Sequence, residues 1–148
     1  MTYTGTASWA RNTLNRGTFP TAGASQSVAM ELGLPGSDVS FYKLTYNAQR
    51  YFPVRSDWVG RGYARLGYGD AISGSSLPFY RNFFGGGFGS VRGFRDNSMG
   101  PLSQRLSLSN PTVLLPESES IGGNVQVEGG VELIFPVPFI EDKSKIRT

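Results

Sequence analysis

Residues 124–135, with the sequence Asn-Val-Gln-Val-Glu-Gly-Gly-Val-Glu-Leu-Ile-Phe, alternate between apolar and polar side chains. The apolar positions are Val125, Val127, Val131, Leu133 and Phe135, and the polar positions are Asn124, Gln126, Glu128 and Glu132. Successive side chains of a β-strand point to opposite faces of the sheet. The stretch therefore predicts a β-strand that has one apolar face and one charged face.

Four earlier stretches, residues 3–9, 24–34, 39–52 and 58–69, show the same alternation over about ten residues each. A soluble β-sandwich would produce this period as well as a membrane barrel. Tyr and Trp lie near the ends of the apolar faces, as in an interfacial aromatic belt, and whole charges lie on the other faces, as in a wet lumen. The aromatic residues are Tyr3, Trp9, Trp58 and Tyr68, and the charged ones are Glu31, Lys43, Arg61, Arg65, Glu128 and Glu132.

The connections between these strands differ in length. Short turns are expected at 34–38, 53–57 and 136–139, and longer connections at 12–23 and 70–123. Short periplasmic turns and long outer loops are typical of outer-membrane barrels, so we expect the two groups at opposite ends of the sheet.

The predicted fold class is all-β: a partial antiparallel transmembrane β-barrel of about five strands plus a stub at 144–148. The smallest barrels have about eight strands, so five cannot close one. The first strand begins at about Thr2 with no leader before it. We therefore expect residues 1–148 to be a fragment of a single larger barrel domain.

Composition excludes several classes of function. The 148 residues include 20 Gly and 9 Pro but no Cys and no His, so zinc sites, haem ligation by His and Cys- or His-based catalysis are excluded. The 14 basic and 11 acidic residues are interspersed, which does not favour nucleic acid as a partner. No spacing of acids and bases indicates an active site. We expect neither a cofactor nor an enzyme.

The connection at 70–123, called the long loop below, has an unusual composition. Six aromatic residues fall within residues 79–94, interleaved with five glycines. Aromatic side chains at this density are costly to leave in water, and glycine permits close backbone approach, so this half should fold back into the barrel lumen. The second half, 102–123, is rich in Ser, Asn, Pro and Glu and should be solvated. A phosphate-binding loop is excluded, because Arg92 stands where G-x-G-x-x-G needs its third glycine.

Residues 78–84, Pro-Phe-Tyr-Arg-Asn-Phe-Phe, followed by a glycine cluster and Val91-Arg92-Gly93-Phe94, closely resemble the lumen-entering loop of the BamA family of outer-membrane barrels. The VRGF signature alone is shared across the bacterial surface antigen superfamily, including two-partner secretion transporters, TamA and organelle homologues. The flanks at 66–70 and 122–140 and the turns at 16–23 and 34–38 also resemble the BamA family, so the similarity covers essentially the whole chain.

This resemblance implies a sixteen-stranded barrel in the bacterial outer membrane, preceded by periplasmic POTRA domains. The chain would be a middle-to-late section, without the POTRA domains, the early strands and the closing strands. The implied function is assembly and insertion of outer-membrane proteins. The implied partners are outer-membrane lipid, nascent β-barrel substrates and accessory lipoproteins of the assembly complex.

Two alternative functions stay open at this point. One is a translocation barrel of the same superfamily, as in two-partner secretion or TamA, and the number of upstream POTRA domains would discriminate it. The other, less favoured, is a soluble β-sandwich that acts as a binding module.

The resemblance also implies a functional motif, Val91, Arg92, Gly93 and Phe94, whose arginine reaches acidic side chains on the inner barrel wall. Glu132 is the matching acid, and a second acid would lie beyond Thr148. The alternation independently places Glu132 on the polar face. We expect two parallel hydrogen bonds between Arg92 and Glu132, a special backbone geometry or clearance at Gly93, and burial of Phe94.

Glu128, Arg61 and Arg65 are expected to be further charges that line the lumen. The competing interpretation of the motif is that Arg92 only solvates a loop tip and Glu132 only lines a pore.

Overall fold

The computed structural model describes five segments of the chain, residues 3–34, 40–55, 57–72, 77–103 and 119–135. Its strands are β1 (Thr4–Asn12), β2 (Gly23–Gly33), β3 (Phe41–Arg55), β4 (Trp58–Ala71), β5 (Leu102–Ser103), β6 (Glu119–Ser120) and β7 (Val125–Ile134). The five longer strands form one antiparallel sheet in the order β1-β2-β3-β4-β7. The two short ones, β5 and β6, pair with each other inside the long loop.

The strand positions confirm the alternation seen in the sequence. In the register between β4 and β7, Arg61 lies opposite Glu132 and Arg65 lies opposite Glu128, all on what we call the polar face. Leu66 lies opposite Val127 on the other, apolar face. A slip by one residue would exchange the two faces of a strand, so this register keeps the charges of Arg61, Arg65, Glu128 and Glu132 on the polar face.

Two strands are longer than the expected ten residues. The strand β3 has 15 residues and β4 has 14. Their pairing continues past Pro53, where the register shifts before Arg55 meets Trp58. Proline donates no backbone hydrogen bond, and within sheets it is found at such irregular positions or at edges.

The expected grouping of the connections is wrong for two of them. Because neighbouring strands are antiparallel, the β1–β2 connection leaves the sheet at the same end as the short β3–β4 turn. The β2–β3 connection leaves at the end of the long loop, since Phe41 pairs with Ala71. The order of the antiparallel strands, and not the length of a connection, decides at which end of the sheet the connection lies. Residues 35–39 and 136–139 lie outside the described segments.

Most large side chains of the apolar face are exposed, although some, such as Tyr46, are half-buried. Val127 is 75% exposed and Val131 is 82% exposed, and the described residues include no second sheet packed against them. Within the described residues, this arrangement does not fit the β-sandwich interpretation, in which that face would be the core. Aromatic pairs stand near both ends of the face, Tyr42 with Tyr68 and Trp58 with Phe135. None of the helical residues in the described segments forms a helix long and apolar enough to cross a membrane.

The long loop turns back over the polar face, as its aromatic content predicts. The part of the loop described from residue 77 onward contains a single 3-10 turn, Phe79–Arg81. Phe83 then forms a β-bridge to Gly123, and Gly85 forms one to Met99, so residues 83–85 connect to two later parts of the loop. The strands β5 and β6 pair with each other in the second half, of which residues 104–118 lie outside the described segments.

Gly67 is the position on β4 where the loop approaches the sheet most tightly. A Cβ added there would lie 2.5 Å from Cε1 of Phe83. Such a distance requires either the ring or the backbone to move. The absence of a side chain at Gly67 therefore allows the ring of Phe83 to pack against the polar face.

We predict that Gly67→Ala in the full-length protein displaces Phe83 and loosens the long loop while the sheet remains intact. Limited trypsin digestion should then cleave at Arg92 or Arg95 several-fold faster than in the parent protein. Gly62→Ala, in the same strand, is the matched control, because nothing lies within 4 Å of a Cβ added at Gly62. Equal cleavage rates for both variants would contradict the predicted contact.

Candidate functional site: a charged barrel wall and an inward loop

The polar face of β4 and β7 carries two ion pairs across the strands. Arg61 Nη1 lies 2.8 Å from Glu132 Oε2, and Arg65 Nη1 lies 3.2 Å from Glu128 Oε2. The arginines are four residues apart in β4, and the glutamates are four residues apart in β7. When the two strands pair antiparallel, one register therefore places each arginine opposite a glutamate. This equal spacing was the sequence signal that could have predicted both ion pairs.

Each of these arginines has a second partner on β3. Arg61 Nη2 donates to Gln49 Oε1 at 3.2 Å, and Arg65 Nε donates to Asn47 Oδ1 at 3.3 Å. The guanidinium of Arg61 also lies near the rings of Tyr51 and Tyr63, with its Cζ 5.8 Å and 5.1 Å from their centroids. These contacts restrict its position. Arg61 is thus a fixed part of the wall.

The structure brings Arg92 of the long loop to Glu132. Arg92 Nη2 lies 3.3 Å from Glu132 Oε1, and the two side chains are 63% and 26% exposed. The expected pair of parallel hydrogen bonds is not formed: Arg92 contacts Oε1 of Glu132, and Arg61 donates to Oε2. Glu132 is therefore shared between a wall arginine and a loop arginine. The Arg92 guanidinium also lies 5.0 Å from the ring centroid of Phe88.

The other motif residues fit the expectations only in part. Gly93 has a φ of +93°, which an L-residue with a side chain rarely adopts, but no atom lies within 4 Å of a Cβ built there. Its role is thus backbone geometry and not clearance. Phe94 is 56% exposed, so the expected burial does not occur against the described residues. Val91 lines a small cavity together with Phe84 and Met99.

Glu128 receives a loop contact that the sequence did not reveal. Its Oε1 accepts hydrogen bonds from Ser90 Oγ at 2.5 Å and from Gln126 Nε2 at 2.8 Å. Glu128 was expected only as a lumen-lining charge, yet it is 9% exposed. A serine in a glycine-rich loop carries no pattern that points to one carboxylate, so no sequence signal identified this contact.

A second group of contacts holds the start of the long loop against β2 and β3. Arg81 Nη1 lies 2.6 Å from Glu31 Oε1, and Lys43 Nζ donates to the backbone oxygen of Arg81 at 2.8 Å. Lys43 Nζ also lies 4.1 Å above the ring centroid of Phe83. Arg81 was not among the residues singled out in the sequence. The opposition of Glu31 and Lys43 across the strands is a signal that could have marked this region.

The contacts of Arg81, Ser90 and Arg92 join the long loop to the wall, whereas those of Arg61 and Arg65 lie within the wall. Within the described segments, no group of three or more His, Cys, Asp or Glu side chains could hold a metal ion. The chemistry of the site is electrostatic positioning, in which wall carboxylates accept from loop donors.

An antiparallel sheet with an exposed apolar face, a charged opposite face and a loop folded onto that face defines a section of β-barrel wall. The model of the Omp85 superfamily domain matches residues 1–148. The chain belongs to the Omp85 superfamily.

Named relatives and a solved structure agree with this membership. The chain is 34% identical to outer membrane protein assembly factor BamA of Neisseria meningitidis over 98% of its length, and 34% identical to the mouse sorting and assembly machinery component 50 homolog over 84%. The crystal structure of Haemophilus ducreyi BamA lacking POTRA domains 1–3 superposes with a TM-score of 0.86 and 37% identity, over 96% of the chain.

The chain spans only a part of each of these proteins. It covers 17% of the Neisseria protein, 24% of the mouse protein and 27% of the Haemophilus chain. The similarity therefore assigns the chain to part of an outer-membrane barrel, and the relatives' names describe assembly factors.

The shared carboxylate leads to a prediction for the motif. Arg92→Lys should leave the loop in place, because the single exposed contact at 3.3 Å needs a positive charge but no planar fork. Glu132→Gln should loosen the loop tip and also lower the stability of the barrel, since it removes the charge that faces both Arg61 and Arg92. Trypsin accessibility of the loop and the heat-modifiable gel shift measure the two effects. A larger effect from Arg92→Lys than from Glu132→Gln would contradict the sharing.

Proposed function

We propose that this chain is part of the barrel of an outer-membrane protein assembly and insertion factor in a bacterium, and that residues 91–94 brace the barrel lumen. The observation that carries the proposal is the Arg92–Glu132 contact within a wall that is similar to Neisseria BamA over nearly its whole length. The proposed localisation is the bacterial outer membrane. Residues 1–148 would be one section of a single barrel domain that includes further strands.

The two faces of the sheet support an orientation in which the apolar face contacts lipid and the polar face lines the lumen. An exposed apolar face suits the hydrocarbon of the membrane, whereas a charged face suits a wet lumen. The sheet ends in β1 on one side and β7 on the other, and unpaired strand edges in a membrane need neighbours. Outer-membrane lipid and further strands of the same barrel are therefore the proposed surroundings.

The loop would act as a brace through two separate contact regions. Arg81 contacts Glu31 on β2, while Ser90 and Arg92 contact Glu128 and Glu132 on β7. A loop attached to both sides of β3 and β4 resists bending of the wall between them. The exposed Arg92 contact alone would contribute about 1 kcal/mol or less. The brace therefore depends on several contacts acting together.

The proposed partners are nascent outer-membrane β-barrel proteins and the accessory lipoproteins of an assembly complex. The proposed role is non-enzymatic and requires no cofactor or nucleic acid. Relatives from both bacteria and animals are named for assembly, which favours this function over protein translocation. Counting the POTRA domains encoded upstream would test the choice, because five favour assembly and two favour two-partner secretion.

We expect Arg92→Ala in the full-length protein to weaken barrel assembly activity moderately, and Glu132→Ala to weaken it more. Removal of Glu132 leaves two arginines without their carboxylate, whereas removal of Arg92 leaves Glu132 paired with Arg61. Growth of cells that depend on each variant and heat-modifiable gel mobility are the measurements. Arg95→Ala changes another exposed arginine of the same loop and is the control. Unchanged growth and mobility for both test variants, at normal expression, would refute the brace.

The membrane orientation predicts opposite outcomes for two adjacent residues of β1. Ala7 pairs with Met30 on the apolar face, and Ser8 pairs with Ala29 on the polar face. Ala7→Lys should cost about 2–4 kcal/mol at the middle of the bilayer, while Ser8→Lys should be tolerated. Urea titration of the full-length barrel in lipid vesicles measures the difference. Equal losses would mean that the apolar face does not contact lipid.

A further inference from the structure

Glu128 is the most deeply buried carboxylate among the described residues, with 9% of its surface exposed. Both of its oxygens have partners. Oε1 accepts from Ser90 Oγ at 2.5 Å and from Gln126 Nε2 at 2.8 Å, and Oε2 accepts from Arg65 Nη1 at 3.2 Å. A buried carboxylate that loses a partner retains the cost of its desolvation, so each of these contacts is costly to break.

Ser90 links Glu128 to the glycine cluster. Its hydroxyl donates to Glu128 and accepts from the backbone nitrogen of Gly86 at 3.2 Å, so both hydrogen-bonding roles of the hydroxyl are used. The backbone nitrogen of Ser90 donates to the oxygen of Gly87, which closes a tight turn. The positive φ angles of Gly86 (+104°) and Gly87 (+95°) permit this turn. One hydroxyl therefore fixes both the shape of the turn and its place on the wall.

The contact between Glu132 and the loop is much weaker than the contact between Glu128 and Ser90. Its contact with Arg92 is 3.3 Å long, and the Arg92 side chain is largely exposed. Arg61 donates to the other oxygen at 2.8 Å, and this contact does not depend on Arg92. Departure of Arg92 thus exposes no unpaired buried charge. Departure of Ser90 would leave Glu128 Oε1 with Gln126 alone among its described partners.

We propose that Glu128 is a positioning residue that anchors the turn at residues 86–90 through Ser90, and that the Arg92–Glu132 contact is a releasable one farther along the loop. The inference deepens the proposed brace and rests on it for its biological meaning. The turn at residues 86–90 stays on the wall while the tip at 91–95 detaches and returns.

Two pairs of spin labels in the full-length protein separate the turn from the tip. Each pair uses a cysteine at Leu44, on the apolar face, with a second one at Gly89 for the turn or at Arg95 for the tip; native cysteines elsewhere in the protein are first replaced. Gly89 has nothing within 4 Å of an added Cβ, which makes it a tolerant labelling position. Pulsed electron paramagnetic resonance in lipid nanodiscs then reports the distance distribution of each pair.

Ser90→Ala and Glu128→Ala should broaden the Gly89 distribution and raise its detached fraction at least about tenfold, as expected for loss of a hydrogen bond to a charged group. Ser90→Thr keeps the hydroxyl and should restore the narrow distribution. Arg92→Ala should broaden only the Arg95 distribution. If Glu128→Ala prevents folding, the comparison of Ser90→Ala with Ser90→Thr still tests the anchor.

The proposal is overturned if Ser90→Ala leaves the Gly89 distribution narrow, or if Arg92→Ala broadens it as much as Ser90→Ala does. A general loss of barrel stability would broaden both pairs and lower the heat-modifiable gel shift, and Ser90→Thr would not correct it selectively. A protein that inserts no barrels would refute the proposed function, yet it would leave both distances measurable. The two failures are therefore distinguishable.

Discussion

The register between β4 and β7 is the constraint on which the remaining structure depends. It sets Arg61 against Glu132 and Arg65 against Glu128 on one face, and it leaves the other face to Leu66, Val127 and their apolar neighbours. A shift by one residue would turn the glutamates toward the apolar side, where a charge is strongly unfavourable. Backbone pairing and charge pairing therefore select the same alignment of the two strands. This alignment fixes the positions of the two carboxylates, Glu128 and Glu132, that the loop contacts.

The long loop can use those carboxylates only because its glycines and aromatic residues fit the wall. Phe83 lies against Gly67, and the turn at 86–90 brings Ser90 to Glu128. At the other side of the sheet, Lys43 and Glu31 hold the first turn through Arg81. On the polar face, Lys43, Arg61 and Arg65 of β3 and β4 stand opposite Glu31, Glu132 and Glu128 of the neighbouring strands. The loop adds Arg81 and Arg92 to this surface.

Strand positions, the two faces and the return of the loop were predictable from the sequence, because the period of two and the cost of exposed aromatics are local properties. The contact of Arg92 with Glu132 followed from family resemblance and not from spacing. The division of Glu132 between two arginines was not predictable, since it requires the cross-strand register. Ser90 was missed because a hydroxyl finds its partner through the tertiary path of the loop. The connection at 34–38 was assigned to the wrong end of the sheet because connections were grouped by length, whereas the order of the strands determines the end at which each one lies.

The different burial of Glu128 and Glu132 gives the two parts of the loop different responses to ionic strength. Salt screens charges that face water, and at 1 M the screening length falls to about 3 Å, comparable to the Arg92–Glu132 separation of 3.3 Å. The contacts of Glu128 are shielded from solvent and are screened far less. Concentrated salt should therefore detach the tip at 91–95, while the turn at 86–90 remains bound to Glu128. The dissolved ions of the surrounding fluid would then govern how far the loop reaches into the space beside the wall.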